Sequence, residues 1–171
     1  MAARGRTIPE ARSARRWILP IVLLGIGLLA GPAASDAKVP IAVIVHAQVP
    51  VDELSLPELR RIFLSERLVW PDGLTIQVLT PPRNSPERKV LLNKIYGRRS
   101  EAQYQQYLVN KLFEGAAPVL PKITSSNEMS ASLVREIPGA IALVPANKIP
   151  PGVKVLRIDG KKPGERGYGL R

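Results

Sequence analysis

From residue 39 onward, two hydrophobic periods alternate along the chain, and capping or turn residues mark the switches between them. Residues 39–45 (VPIAVIV) form an apolar, β-branched run of the kind a buried strand requires. Ser55 and Glu58 make a capping box, with Leu54 and Leu59 placed as its hydrophobic staple. Leu59, Ile62 and Phe63 then line one face of a short helix, while Arg60 and Arg61 point away. Pro71-Asp72-Gly73 predicts a turn and residues 74–79 a strand. Ser85-Pro86 reads as an N-cap with proline at the first helical position. Val90, Leu91, Ile95 and Tyr96 form that helix's buried stripe, and Gly97 supplies its stop.

A further helix opens at Ser100-x-x-Gln103, with Tyr104, Tyr107, Leu108 and Leu112 at helical spacing. Residues 119–123 read as a short strand. Ser125-x-x-Glu128 is a third capping box, with Met129, Leu133 and Ile137 as the apolar face before Pro138-Gly139. Residues 140–144 and 153–158 read as two more strands. Strands alternating with capped helices predict an α/β fold with a mixed, mostly parallel sheet flanked by helices. Residues 160–171, rich in glycine and charge, are expected to be a flexible basic tail.

The first 37 residues differ from the rest. Arg4, Arg6, Arg12, Arg15 and Arg16 precede an apolar run over 17–30, and small residues follow it. That is the layout of a secretory signal peptide, with cleavage expected near Asp36 or Lys38. The run is shorter than the ~20 residues a membrane span needs, so contact with the membrane is expected only through this transient leader. Arg15-Arg16-Trp17-Ile18-Leu19 also fits a twin-arginine export pattern. A bacterial exported protein, periplasmic or otherwise outside the cytoplasm, is the expectation, with one domain over residues 38–159. There is no cysteine, so this domain must be held by an ordinary core rather than by disulfides.

Removing residues 1–37 from the 171 leaves 134 residues with 20 Lys and Arg against 12 Asp and Glu, a charge of about +8. Such a balance concentrates anionic partners near the surface. The basic residues are scattered without an aromatic stacking stripe, and no nucleic-acid partner is expected. One histidine and no cysteine leave no Cys-His pair and no multi-histidine metal site. No Gly-x-Ser-x-Gly elbow and no phosphate-binding Gly-x-x-x-x-Gly-Lys loop occurs. Neither an enzyme nor a cofactor is expected.

What remains is binding. Residues 80–87 (TPPRNSPE) combine a strand end, a polar loop and a helix start. Ser85 can offer a hydroxyl, Asn84 and the following amides further donors, and Arg83 positive charge. The same Ser-Pro pair serves equally as a plain helix cap. His46, at the end of the first strand, is a second candidate, because ligands of open α/β sheets gather at strand C-termini. It reads as well as a strand-end histidine bonded to a neighbouring backbone group.

The order Leu59-Arg60-Arg61-Ile62-Phe63-Leu64-Ser65, Trp70, Ile76-Gln77-Val78-Leu79, then Ser85 before a helix resembles the phosphate-binding proteins of bacterial phosphate import. Those are type 2 periplasmic solute-binding proteins. Pro138-Gly139-Ala140-Ile141-Ala142-Leu143-Val144 is similar to that family's Pro-Gly-Ala-Ile-Gly-Tyr-Val segment. The resemblance covers roughly residues 41–146. It implies a reduced periplasmic-binding-protein-like domain that takes a small anion such as phosphate, with an ABC permease or a sensor as protein partner. Strand laid on strand, Ser85 falls on the family's ligand-binding Ser, Pro81 on its Arg and Glu87 on its Thr, with Arg83 displaced by two positions. The other reading is an envelope interaction protein with no small ligand, using its basic surface.

Overall fold

The computed structural model describes residues 39–97, 100–115 and 120–171. The leader expected over 1–37 lies outside the described residues. In chain order the elements are β1 (Ile41–His46), β2 (Glu53–Leu54), α1 (Leu56–Phe63), β3 (Gln77–Thr80) and α2 (Pro86–Val90), which runs on into a π-helical turn over Leu91–Ile95. Then come α3 (Glu101–Phe113), β4 (Lys122–Ile123), α4 (Asn127–Glu136), β5 (Ala140–Pro145), a 3-10 turn at Ala146–Lys148 and β6 (Val153–Ile158).

The strands form one sheet in the order β2-β6-β1-β5-β3-β4. β1 runs antiparallel to both neighbours, whereas β2 with β6, and β5, β3 and β4 among themselves, are parallel. The sheet is therefore mixed and mostly parallel, with the first strand reversed at its centre. Alternate side chains of β1 and β5 feed two cores. Val43, Val45, Ile141 and Leu143 face Leu59, Ile62, Phe63, Leu91, Ile95 and Tyr104 from the α1, α2 and α3 side. Ala42, Ile44, Ala142 and Val144 face Ala131 and Val134 of α4 on the other. Helices thus cover both faces, which explains why β1 and β5 read as unbroken apolar runs.

The turn at 70–73 is tied to the start of β5. Trp70 is buried, and its indole N–H donates to the Gly139 carbonyl at 3.0 Å. The same carbonyl accepts from the Gln77 amide at 3.1 Å, setting the register in which β3 joins β5. Gly139 sits at φ +78°, and a Cβ there would lie 2.2 Å from the Thr75 carbonyl oxygen. Only glycine meets both conditions. Ser65, just past the end of α1, takes φ +58° without being glycine.

Three expectations are revised. α4 is capped by Ser126 rather than Ser125, its hydroxyl oxygen accepting from the Met129 amide at 3.0 Å. Ser130, Ala131 and Val134 consequently face inward, and Met129 is exposed. The cause is a buried hydroxyl pair, Thr124 with Ser130 at 2.6 Å, which hydropathy alone would place outside. α3 buries only Tyr104, leaving Leu112 exposed. The residues from 160 on do not fray: Leu170 is fully buried, its carbonyl accepts from the Ile41 amide at 2.9 Å, and the Tyr168 hydroxyl donates to the Ile41 carbonyl at 2.7 Å. That tail completes the hydrogen bonding at the start of β1.

Replacing Gly139 by Ala is expected to destabilise the domain by on the order of 3 kcal/mol, combining left-handed strain with overlap against backbone. Urea unfolding checks this. Replacing Gly73, whose added Cβ would meet nothing within 4 Å, should cost less than half as much.

Candidate functional site

Five strands of the sheet run one way, so their C-terminal ends share an edge. Helix starts follow three of them: Ser55 caps α1 after β2, Ser85 caps α2 after β3, and Ser126 caps α4 after β4. Each start leaves first-turn amides without intrahelical acceptors and carries partial positive charge. The three are not equally available. At α1 the Leu56 amide donates to the Asp159 carboxylate at 3.0 Å, and Glu58 accepts from the Ser55 amide at 2.9 Å. Two carboxylates already answer that helix start. At α4, Glu128 sits in the first turn, held below the usual carboxylate range by backbone and Ser126 hydrogen bonds and by Lys148.

The start of α2 is built differently. β3 ends at the buried Thr80, whose carbonyl accepts from the Thr124 amide at 3.0 Å and the Thr124 hydroxyl at 3.1 Å. This pins the loop's origin. Pro81 is buried and Pro82 half-buried, and the Pro82 carbonyl accepts from the Ser85 amide at 3.3 Å. Asn84 takes φ +66°, a left-handed turn that asparagine tolerates better than most residues. Arg83 and Asn84 are exposed, and Ser85 is half-buried. The Ser85 hydroxyl oxygen accepts from the Arg88 amide at 3.0 Å, which leaves its proton available to an outside acceptor. The plain-cap role is thus filled, and among the described residues no acceptor takes the hydroxyl proton.

Beneath this loop lies an ion pair that spacing did not announce. Arg88 is 1% exposed, and its guanidinium donates twice to the Glu101 carboxylate, at 2.7 and 3.0 Å. It also stacks 4.6 Å from the centre of the Tyr104 ring. The Arg88 hydrogen bonds, and secondarily Gln105 and the charge of Arg83, hold the Glu101 carboxyl below the usual range. Arg83 therefore stands within electrostatic reach of this pair. The nearest sequence signal was the capping box at Ser100, which puts Glu101 at the first position of α3. Glu87 is 2% exposed, with one carboxylate oxygen buried and unpartnered among the described residues. The carboxylate at the resembled family's Thr position is packed away from solvent.

Arg83, Asn84 and Ser85 are brought together, and His46 is not among them. Because β1 runs against its neighbours, His46 pairs with Val153 at the start of β6, on the opposite edge of the sheet from Ser85. There its Nδ1 accepts from the Gln48 amide at 3.2 Å. The expectation that a strand C-terminus lies at the binding edge assumed a parallel first strand.

No family model matches the chain. Solved structures do share its fold. A protein of Clostridium perfringens described as a phosphate ABC transporter substrate-binding protein, solved with bound phosphate, aligns with TM-score 0.57 and 21% identity over 72% of this chain and 46% of its own. An ABC-type phosphate transport receptor from Vibrio cholerae aligns at 0.58 and 18% identity, over 72% and 48%. PstS from Borrelia burgdorferi aligns at 0.60 and 13% identity, over 77% and 53%. The chain has the fold of these phosphate-transport substrate-binding proteins and spans about half the length of each.

Changing Glu101 to Gln should destabilise the protein by on the order of 2 kcal/mol at pH 7. This lies below the full cost of orphaning a buried charge, because Glu101 keeps about a third of its side chain in solvent. Since the folded-state pKa is lowered, the wild-type advantage is complete above the ordinary carboxylate pKa and fades as pH falls through the folded value. Urea unfolding of both proteins across acid pH reads this convergence.

Proposed function

We propose that this chain is an exported substrate-binding-protein-like domain that takes phosphate or a similar oxyanion at the Arg83-Asn84-Ser85 loop, in connection with ABC-type uptake or sensing. The observation that carries the reading is the outward-facing loop at the helix start capped by Ser85. Of the three starts on the binding edge, it is the one flanked by an exposed arginine, an exposed asparagine and a hydroxyl with a free proton. A fold shared with a protein solved with bound phosphate supports the same ligand class. The transport role of those neighbours favours binding over catalysis. The basic leader followed by an apolar run supports export.

Buried Glu87, two residues beyond Ser85 in the same first turn, opposes a fully ionised ligand. It favours an oxyanion that keeps a proton to donate, as phosphate does near neutral pH and sulfate does not. Affinity is expected to be modest, because the loop covers one side of the ligand only.

One observation favours the second reading, an interaction protein without a small ligand. α3 exposes Val109, Leu112 and Phe113, the last at 86%. A stripe of that kind suits a protein partner such as a permease or sensor.

Titration calorimetry with phosphate and with sulfate separates these readings. Phosphate at millimolar concentration should give saturable heat, and sulfate less. Aspartate caps a helix as well as serine, so Ser85→Asp should leave the unfolding midpoint within experimental scatter while abolishing the phosphate heat by charge repulsion. Silence with both anions, together with salt-sensitive retention on envelope fractions, would favour the interaction reading instead.

A further inference from the structure

α3 carries apolar residues on two faces, and the fold uses one of them. On the inner face Tyr104 is buried, and Leu108 packs against the core beside it. On the same side the Tyr107 hydroxyl donates to the Leu64 carbonyl at 3.1 Å. The helical period of about 3.6 residues gathers Ala102, Gln105, Gln106, Val109, Leu112 and Phe113 on the opposite face. Four of them, Ala102, Gln105, Val109 and Leu112, follow the alternating three- and four-residue spacing of a helix-pairing seam. Val109, Leu112 and Phe113 are 41, 47 and 86% exposed. A helix with an apolar stripe on each side is built to lie between two layers, and this domain supplies one.

Charge, shape and area identify the other layer. No residue of the outer face is charged, on a chain whose residues 38–171 carry about +8. An acidic protein or an anionic lipid surface is met by lysines and arginines flanking the apolar stripe. α3 has one cation, Lys111, and it pairs with Glu114 at 3.7 Å. Between two copies of a basic protein, by contrast, an uncharged face is where like charges repel least. We propose that the outer face of α3 pairs with the same face of a second copy, antiparallel about a two-fold axis near Val109. That crossing sets Phe113 of each copy opposite Ala102 of the other, the largest side chain of the stripe against the smallest, with the two helix dipoles opposed. The exposed apolar side chains amount to roughly 300 Å² per copy. With their polar flanks, two copies bury about 1,000 Å² in total, the lower end of specific interfaces, which makes a reversible dimer rather than a permanent one.

The pairing uses none of Arg83, Asn84 and Ser85, so it stands or falls apart from oxyanion binding. It gives the α3 stripe an occupant other than a permease or sensor. Both cores lie within residues 41–170, and residues 36–171 are a compact unit. The chain from 36 on is therefore the form whose association reports on α3, free of the apolar run over 17–30.

Sedimentation equilibrium of residues 36–171 should show a monomer–dimer equilibrium with a dissociation constant on the order of 10–100 μM. Phe113→Gln and Val109→Lys should each weaken it roughly tenfold or more, while the unfolding midpoints of the dilute proteins stay unchanged. Gln103→Ala, exposed on α3 but off the stripe, should leave the equilibrium as it was. A folded protein that stays monomeric up to about 1 mM would overturn the proposal, and binding of that monomer to phosphatidylglycerol vesicles would hand the stripe to a lipid surface instead. A dimer that survives both Phe113→Gln and Val109→Lys would place the contact elsewhere and overturn it as well.

Discussion

The Gly139 carbonyl is the joint on which the arrangement turns. It receives the Trp70 indole and the Gln77 amide together, so one acceptor fixes both the 70–73 turn and the entry of β3 beside β5. The left-handed backbone at Gly139 brings that carbonyl into place, and the absence of a Cβ lets Thr75 close over it. Once β3 is registered, Thr80 falls where Thr124 can grip its carbonyl, and the polar loop leaves from a fixed point. A one-residue slip of β3 would exchange its inward and outward faces and move the loop's origin with it. The loop's position therefore depends on a contact far from Arg83, Asn84 and Ser85.

Chain direction decides what can meet what. Reversal of β1 keeps the sheet mostly parallel on either side of it and collects three serine-capped helix starts on one edge. Carboxylates from the chain's own residues occupy the start of α1, while the start of α2 faces outward with arginine, asparagine and a hydroxyl. Beneath it, the Arg88–Glu101 pair joins α2 to α3. Of the two partners it is Arg88 that depends on the pair, because removing Glu101 leaves a buried guanidinium unpaired. The loop thus sets an exposed arginine over a pair whose own charges are already matched.

Much of this was legible along the chain, for identifiable reasons. The two unbroken runs that became β1 and β5 had to be buried on both faces, and they are. The capping boxes at Ser55 and Ser100 set their helices correctly because both halves of each box are local. Trp70 and Pro138-Gly139, noted as separate marks of one resemblance, turn out to touch. Other features depended on distant partners. The cap of α4 shifted to Ser126 because Thr124 bonds both to Ser130 and to the Thr80 carbonyl. His46 lies on the edge opposite Ser85 because strand direction is a property of the whole sheet. The tail from 160 looked mobile by composition, yet Tyr168 and Leu170 finish the bonding of β1, a role fixed by residues more than a hundred positions away.

The central claim, that the loop at Ser85 is where an oxyanion is received, is tested most directly by mapping. Amide chemical shifts of the isotopically labelled protein, followed during phosphate addition, should move saturably for Asn84, Ser85, Glu87 and Arg88. Those of Gln48 and Val153, on the opposite edge of the sheet, should stay still. Saturable movement centred on the opposite edge, or no movement at the loop while phosphate binds, would contradict the account.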